Sequence, residues 1–147
     1  SVVTNHFQNE DNVIPAANSV MANNLYKLYL LQGKPVYKKN ALNMLQNVIG
    51  NFSKYPMAFA NWGSFMLKLV MPFYEIAVIG SQSEKIVQEL QSEFRPNVLM
   101  VSSTNNSELP ILKDRYSKDK TLIYVCQEGT CKLPVETVDE TLEQINT

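Results

Sequence analysis

The stretch from Glu75 to Ser102 constrains the fold more than any other part of this chain. Glu75-Ile76-Ala77-Val78-Ile79-Gly80 is a short apolar run that stops at a glycine, the pattern of a buried strand. Ser81-Gln82-Ser83-Glu84 matches a capping box, in which the serine hydroxyl and the glutamate carboxylate each satisfy a free amide at a helix start. Ile86, Val87, Leu90 and Phe94 follow at helical spacing and leave Lys85, Gln88, Glu89 and Gln91 for solvent. Arg95-Pro96 ends the helix, and Asn97 to Val101 reads as a second buried strand. Strand, helix and strand at this spacing make a βαβ crossover, expected to be right-handed with parallel strands.

Everything before the crossover has helical periodicity. Asn18 or Ser19 is placed to cap a first helix whose stripe is Met21, Leu25, Leu28 and Tyr29, with Gly33 and Pro35 stopping it. Asn23 and Asn24 fall inside that helix, where asparagine is a poor helix former, so each is either exposed or turned towards something polar. A second helix from Tyr37 to Ile49 carries Ala41, Leu42, Leu45, Val48 and Ile49, and the short link predicts an antiparallel hairpin. Tyr55-Pro56 opens a third helix. Phe59, Trp62, Phe65, Met66, Leu69 and Val70 make it apolar on more than one side until Pro72, so it needs cover from two directions.

After the crossover, Ser102 to Ser107 is a polar loop at the carboxyl end of a strand, the end where open α/β sheets bind ligands. Asp114 to Lys120 is a charged connection, and Thr121 to Cys126 is a third strand. Cys131 to Val135 is extended, and Thr137-Val138-Asp139-Glu140 is a capping box opening a last helix with Val138, Leu142 and Ile145 inward. The expected fold class is therefore α/β. A helical segment over residues 1–73 is followed by a small α/β segment over 74–147, with a mainly parallel sheet, the βαβ unit and a C-terminal helix.

Composition narrows the function classes. With 147 residues, 45% hydrophobic and 18% charged, the chain has ordinary globular content. A formal net charge of −1 gives no electrostatic reason to expect nucleic acid. No apolar run reaches the roughly 18 residues of a membrane span, and no signal peptide is visible, so no membrane partner and a cytoplasmic location are expected. The chain opens on Ser1 and a polar stretch, which suggests a fragment of something larger or a processed chain.

Few residues carry recognisable chemistry. Cys126 and Cys131 flank a glycine-containing turn, so a hairpin there brings their α-carbons within disulfide reach. They read as structural thiols, one buried and one in the turn, or as a redox pair. The spacing is not C-x-x-C, and nothing completes a zinc site, so no metal is expected. His6 is the only histidine, and no motif sets a nucleophile beside it. Gly80-Ser81-Gln82-Ser83 has the strand-to-helix placement of a phosphate site but only one glycine. No cofactor is implied.

Taken together, several pieces resemble one family. Asp11-x-x-x-Pro15-x-x-Asn18-Ser19, the hairpin ending near Tyr55-Pro56, Glu75 to Gly80, and Tyr124-Val125-Cys126-x4-Cys131-x-x-Pro134 are similar to the C-terminal end of thioredoxin-domain proteins of the YyaL and spermatogenesis-associated protein 20 type. That resemblance implies an N-terminal thioredoxin-like domain and an (α/α)6 toroid similar to N-acylglucosamine 2-epimerase. This chain would supply the toroid's last helices and the closing α/β segment. It implies as partners the thioredoxin-like domain and the remaining toroid helices, and a small polar or sugar ligand near Asp11, Asn18 and Ser19 at the toroid mouth. The family commonly has Pro-Ser-Gly-Asn-Ser there, whereas this chain has Pro15-Ala16-Ala17-Asn18-Ser19. The expected function is a C-terminal module that is non-catalytic by itself. The alternatives are part of a carbohydrate-active toroid, or an accessory redox segment using Cys126 and Cys131.

Overall fold

The computed structural model describes residues 9–52 and 54–146, so His6 and most of the polar start lie outside the described residues. The chain forms two compact units. One runs to Tyr29 and resumes over Lys34–Met71; the other comprises Leu30–Gly33 and Pro72–Thr147.

The first unit is helical. Helix α1 spans Ala17–Gln32, α2 Pro35–Gln46 and α3 Ala60–Val70, with 3-10 turns at Ile49–Asn51 and Pro56–Phe59. Proline begins both α2 and the turn leading into α3, where its missing amide proton loses no helical bond. Gly33 ends α1 with φ 67°, the left-handed conformation that glycine adopts without a Cβ penalty. Ala22, Tyr26, Ala41, Leu45, Val48, Phe59, Trp62 and Phe65 are buried. Tyr26 and Phe65 pack tilted with centroids 5.6 Å apart, and Phe52 and Phe59 do so at 5.7 Å.

The buried stripe of α1 differs from the expected one. Ser19, Ala22, Asn23, Tyr26 and Leu30 face inward, while Met21 is exposed and Leu25, Leu28 and Tyr29 are half-buried. The helix is rotated because polar residues on its inner face have partners inside. Asn23 donates to the Ser19 and Asn61 carbonyls, at 3.0 and 3.3 Å, and accepts from the Lys68 ammonium. Asn24 is exposed. In α2, Ala41 and Leu45 are buried as expected, and Val48 follows just past the helix end, whereas Leu42 and Ile49 face outward.

The second unit is a sheet covered on both faces. Strands β1 (Tyr74–Ile79), β2 (Val98–Ser103), β3 (Leu122–Gln127) and β4 (Thr130–Cys131) lie in the order β2-β1-β3-β4. β1 and β2 are parallel and joined through α4 (Ser83–Leu90), which is the expected βαβ unit. The other two ladders are antiparallel, so the sheet is mixed rather than mainly parallel. An antiparallel neighbour needs no crossover helix, and the connection from β2 to β3 contains none among the described residues.

Alternation along β1 sends Ile76 and Val78 to one face and Glu75, Ala77 and Ile79 to the other. The first face packs with Ile123, Leu90, Ile86 and Val87, and with Val138, Leu142 and Ile145 of helix α5 (Val138–Asn146). The second packs against Ile111, Leu112, Leu31 and Tyr124. The Thr137 capping box forms as expected: Glu140 N donates to Thr137 Oγ1 at 3.3 Å, and Thr137 N donates to Glu140 Oε2 at 3.2 Å. The Ser81 box does not form. Gln82 precedes α4 without a side-chain cap, and its amide donates to Thr121 Oγ1 at 3.0 Å. Phe94 lies beyond the end of α4 and is 92% exposed, because Arg95 closes that end by donating to the Leu90 carbonyl at 2.6 Å.

Candidate functional site

Two constellations hold the residues singled out above, one in each unit. In the helical unit, Asp11 is buried and its two carboxylate oxygens meet three donors. Oδ1 accepts from Ala16 N at 2.8 Å and Ser19 Oγ at 2.7 Å, and Oδ2 accepts from Asn61 N at 2.8 Å. Ala16 and Asn61 stand at the amino ends of α1 and α3, so one carboxylate serves two helix starts at once. Asn61 Nδ2 closes the ring by donating to Ser19 Oγ at 2.9 Å. Asn18 is half-buried and donates to Asn9 Oδ1 at 2.8 Å, and the Asn9 carbonyl accepts from the Trp62 indole at 2.8 Å. Asp11, Asn18 and Ser19 are thus brought into one region. Ser19 is fully buried, and Asp11 and Ser19 have their polar atoms turned to protein partners.

The second constellation surrounds the cysteines. Glu128 and Gly129 have φ 48° and 83°, the two positive values of a type I′ turn, which matches the twist of a two-residue hairpin. This places Cys126 opposite Cys131 across β3 and β4, and the two are joined as a disulfide. Glu75 lies opposite Cys126 on the other side of β3. Directly opposed residues share a face, so Glu75, Cys126 and Cys131 form a row across three strands. A cavity of about 130 Å³ runs beside the row, lined also by Leu31, Ile111 and Arg115.

Arg115 reaches both sulfurs, with Nη2 3.1 Å from Cys131 Sγ and Nη1 3.6 Å from Cys126 Sγ. Its guanidinium lies 4.5 Å from the centre of the Tyr124 ring, a cation–π seat that fixes its orientation. Burial draws the Arg115 pKa below its usual range, and the nearby Tyr124 opposes this.

Glu75 is only 1% exposed. Its Oε1 accepts from Glu128 N at 3.1 Å, and Oε2 has no hydrogen-bond partner among the described residues. Burial pushes its pKa above the ordinary 4.5; the Glu128 and Gly129 amides pull it back, and the Glu128 charge adds to the rise. A raised folded-state value means the native chain holds this proton more tightly than the unfolded chain. The associated stability is full below the ordinary value and is lost as pH rises through the folded value. Glu75→Gln removes that dependence. Its urea midpoint is expected to gain on the parent as pH climbs from about 4 towards 8, and parallel curves would contradict this.

Neither Glu75 nor Arg115 stood out in the sequence. Glu75 was part of an apolar strand and Arg115 part of a charged connection; the available signal was a carboxylate inside a strand buried on both faces. The strand-to-helix turn at Gly80 to Ser83, whose single glycine made it a poor phosphate site, has the Gln82 amide engaged by Thr121. Among the described residues no group of three or more His, Cys, Asp or Glu is arranged to hold a metal ion. No helix among them is long and apolar enough to cross a membrane.

No family model matches the chain, and no solved structure matches it. Curated relatives exist at low identity. The chain is 25% identical over 137 residues to human spermatogenesis-associated protein 20, covering 86% of this chain and 17% of that protein. The rat protein of the same name is 23% identical over the same shares. The uncharacterized protein B0495.5 of Caenorhabditis elegans is 22% identical over 147 residues, covering 95% of this chain and 20% of that protein. The chain therefore spans roughly a fifth of the length of these relatives, and its relationship to the spermatogenesis-associated protein 20 type is one of distant homology.

Proposed function

We propose that this chain is the C-terminal module of a larger thioredoxin-like protein, non-catalytic by itself, whose helical unit completes an α/α toroid. The observation that carries the reading is the apolar surface of that unit. Val13 is 95% exposed and Met57 91% exposed, and Ile14, Val20, Met21, Leu67 and Val70 are exposed with them. Fully burying one such side chain contributes roughly 1.5–3 kcal/mol. A handful of them therefore suffices to drive docking of neighbouring helices. Relatives about five times longer than the chain supply the sequence from which those helices would come. The partners in this reading are the remaining toroid helices and the thioredoxin-like domain, with a small polar or sugar ligand held by the assembled toroid near Asn18.

The Asp11 network fits this role because one carboxylate fixes the starts of α1 and α3 together. The folded chain is expected to bind 1-anilinonaphthalene-8-sulfonate strongly while keeping cooperative urea unfolding. Adding the remaining polypeptide of the parent protein is expected to abolish the dye signal. A folded chain that binds no dye would overturn the reading.

A further inference from the structure

We infer that Cys126 and Cys131 are a thiol–disulfide exchange site, in which Arg115 holds the thiolates released by reduction and the adjoining cavity admits a dithiol. The inference stands apart from the assembly reading, because every residue in it belongs to the sheet unit.

Three observations support it. First, the bond links directly opposed residues across a hairpin whose register is already set by the type I′ turn and by pairing of β3 with β1. It closes a very short loop, the case in which a cross-link stabilises least through chain entropy. A structural staple would be expected elsewhere. Second, Arg115 points two nitrogens at the two sulfurs. Disulfide sulfur is a weak acceptor, whereas a thiolate beside a guanidinium forms a charge-assisted hydrogen bond. The contact therefore favours the reduced pair over the oxidised one. Third, Glu75 lines the same cavity, on the same sheet face as Cys126, with one carboxylate oxygen unpartnered among the described residues. Burial keeps its carboxyl protonated to higher pH than usual, so it adds less negative charge on the sheet face that carries the sulfurs. The other charged groups along the hairpin are Glu128 in the turn and Lys132 after β4.

The exchange runs in two displacements. One thiolate of the dithiol attacks the Sγ of Cys131, the less buried of the two cysteines. A mixed disulfide forms, the Cys126–Cys131 bond breaks, and its electron pair leaves on Cys126 Sγ beside Arg115. The second thiolate of the dithiol then attacks the first dithiol sulfur, closing the substrate disulfide and releasing Cys131 as a thiolate. Two electrons pass to the protein, and the two protons given up by the dithiol go to solvent while the cysteines remain thiolates beside Arg115, or to the cysteines below their pKa.

The test uses the whole chain with dithiothreitol as the dithiol, counting alkylated cysteines by mass spectrometry while circular dichroism monitors folding. The folded chain is expected to take up two alkyl groups after reduction, with native dichroism retained. The reduced chain is expected to alkylate with a pH midpoint below the ordinary cysteine value of about 8.5. Arg115→Gln is expected to raise that midpoint and to slow reduction about tenfold, and Arg115→Lys to fall between. A disulfide that is reduced only after the chain unfolds would overturn the inference. So would a wild-type midpoint at or above that of free cysteine, a result that needs no variant to fold.

Discussion

Asp11→Ala is expected to remove a large part of the stability of the helical unit. The carboxylate receives Ala16 N, Ser19 Oγ and Asn61 N, and the main-chain amide of Asp11 donates to the Ala58 carbonyl at 2.7 Å. Alanine leaves the Ala16 and Asn61 amides without their acceptor, in a place where Ser19 is fully buried and water has little access, while the Ser19 hydroxyl keeps the Ala16 carbonyl at 2.9 Å. An unsatisfied buried polar group costs roughly 1–3 kcal/mol, so a loss of about 3–5 kcal/mol is expected. That is a large part of the roughly 5–15 kcal/mol that holds a typical domain together. Asp11→Asn keeps one acceptor oxygen but turns an amide donor towards other donors, and about half that loss is expected. Urea unfolding of the three chains, followed by Trp62 fluorescence, measures the difference. An alanine variant within 0.5 kcal/mol of the parent would mean the network is open to water and not a clamp.

Gly80→Ala is expected to be comparably damaging to the sheet unit, for a different reason. Gly80 has φ 132°, a conformation that side-chain-bearing residues rarely adopt. A Cβ there would stand 2.6 Å from both the Lys120 carbonyl oxygen and Thr121 Cα, which are backbone atoms that cannot swing aside. The Gly80 amide also donates to the Ser103 carbonyl at 3.0 Å, continuing the β1–β2 ladder past the end of the strand. Opening this approach would pull Thr121 away from the Gln82 amide that it caps. A loss of about 2–4 kcal/mol is expected from backbone strain and overpacking together. Thermal unfolding of the variant provides the measurement, and an unchanged midpoint would show that the β1–α4 turn has room the geometry denies it.

Much of the sheet unit was legible because its signals are local. An apolar run ending at Gly80, a helical stripe at Ile86, Val87 and Leu90, and the Thr137 capping box each depend on residues within a few positions of one another. The cysteine hairpin was legible for the same reason, since Gly129 marks the turn, but the reading of the pair as separate structural thiols gave way to a disulfide. The failures involve partners distant in sequence. The Ser81 box gave way because Thr121 already satisfies the helix start. The face of α1 was misjudged because Met21 looks like a core residue and Ser19 and Asn23 do not. Their inward placement depends on Asp11, Asn61 and Lys68, which periodicity cannot see.

The candidate site shows the same division. Asp11, Asn18 and Ser19 came from a motif, and the structure gathers them in one region with hydrogen-bond partners of their own. Arg115 and Glu75 reach the cysteines only through folding: one from a connection between strands, the other through the β1–β3 register. No spacing rule links them.

Residue-resolved carbene footprinting tests the proposed docking role most directly, comparing the folded chain alone with the chain joined to the further polypeptide of the larger protein proposed above. Val13, Ile14, Met57, Leu67 and Val70 are expected to label heavily alone and to be protected in the assembly, while Phe94 and Leu133, exposed in the sheet unit, serve as an internal reference that keeps its labelling. Equal labelling of the helical residues in both states would contradict a docking role for this unit.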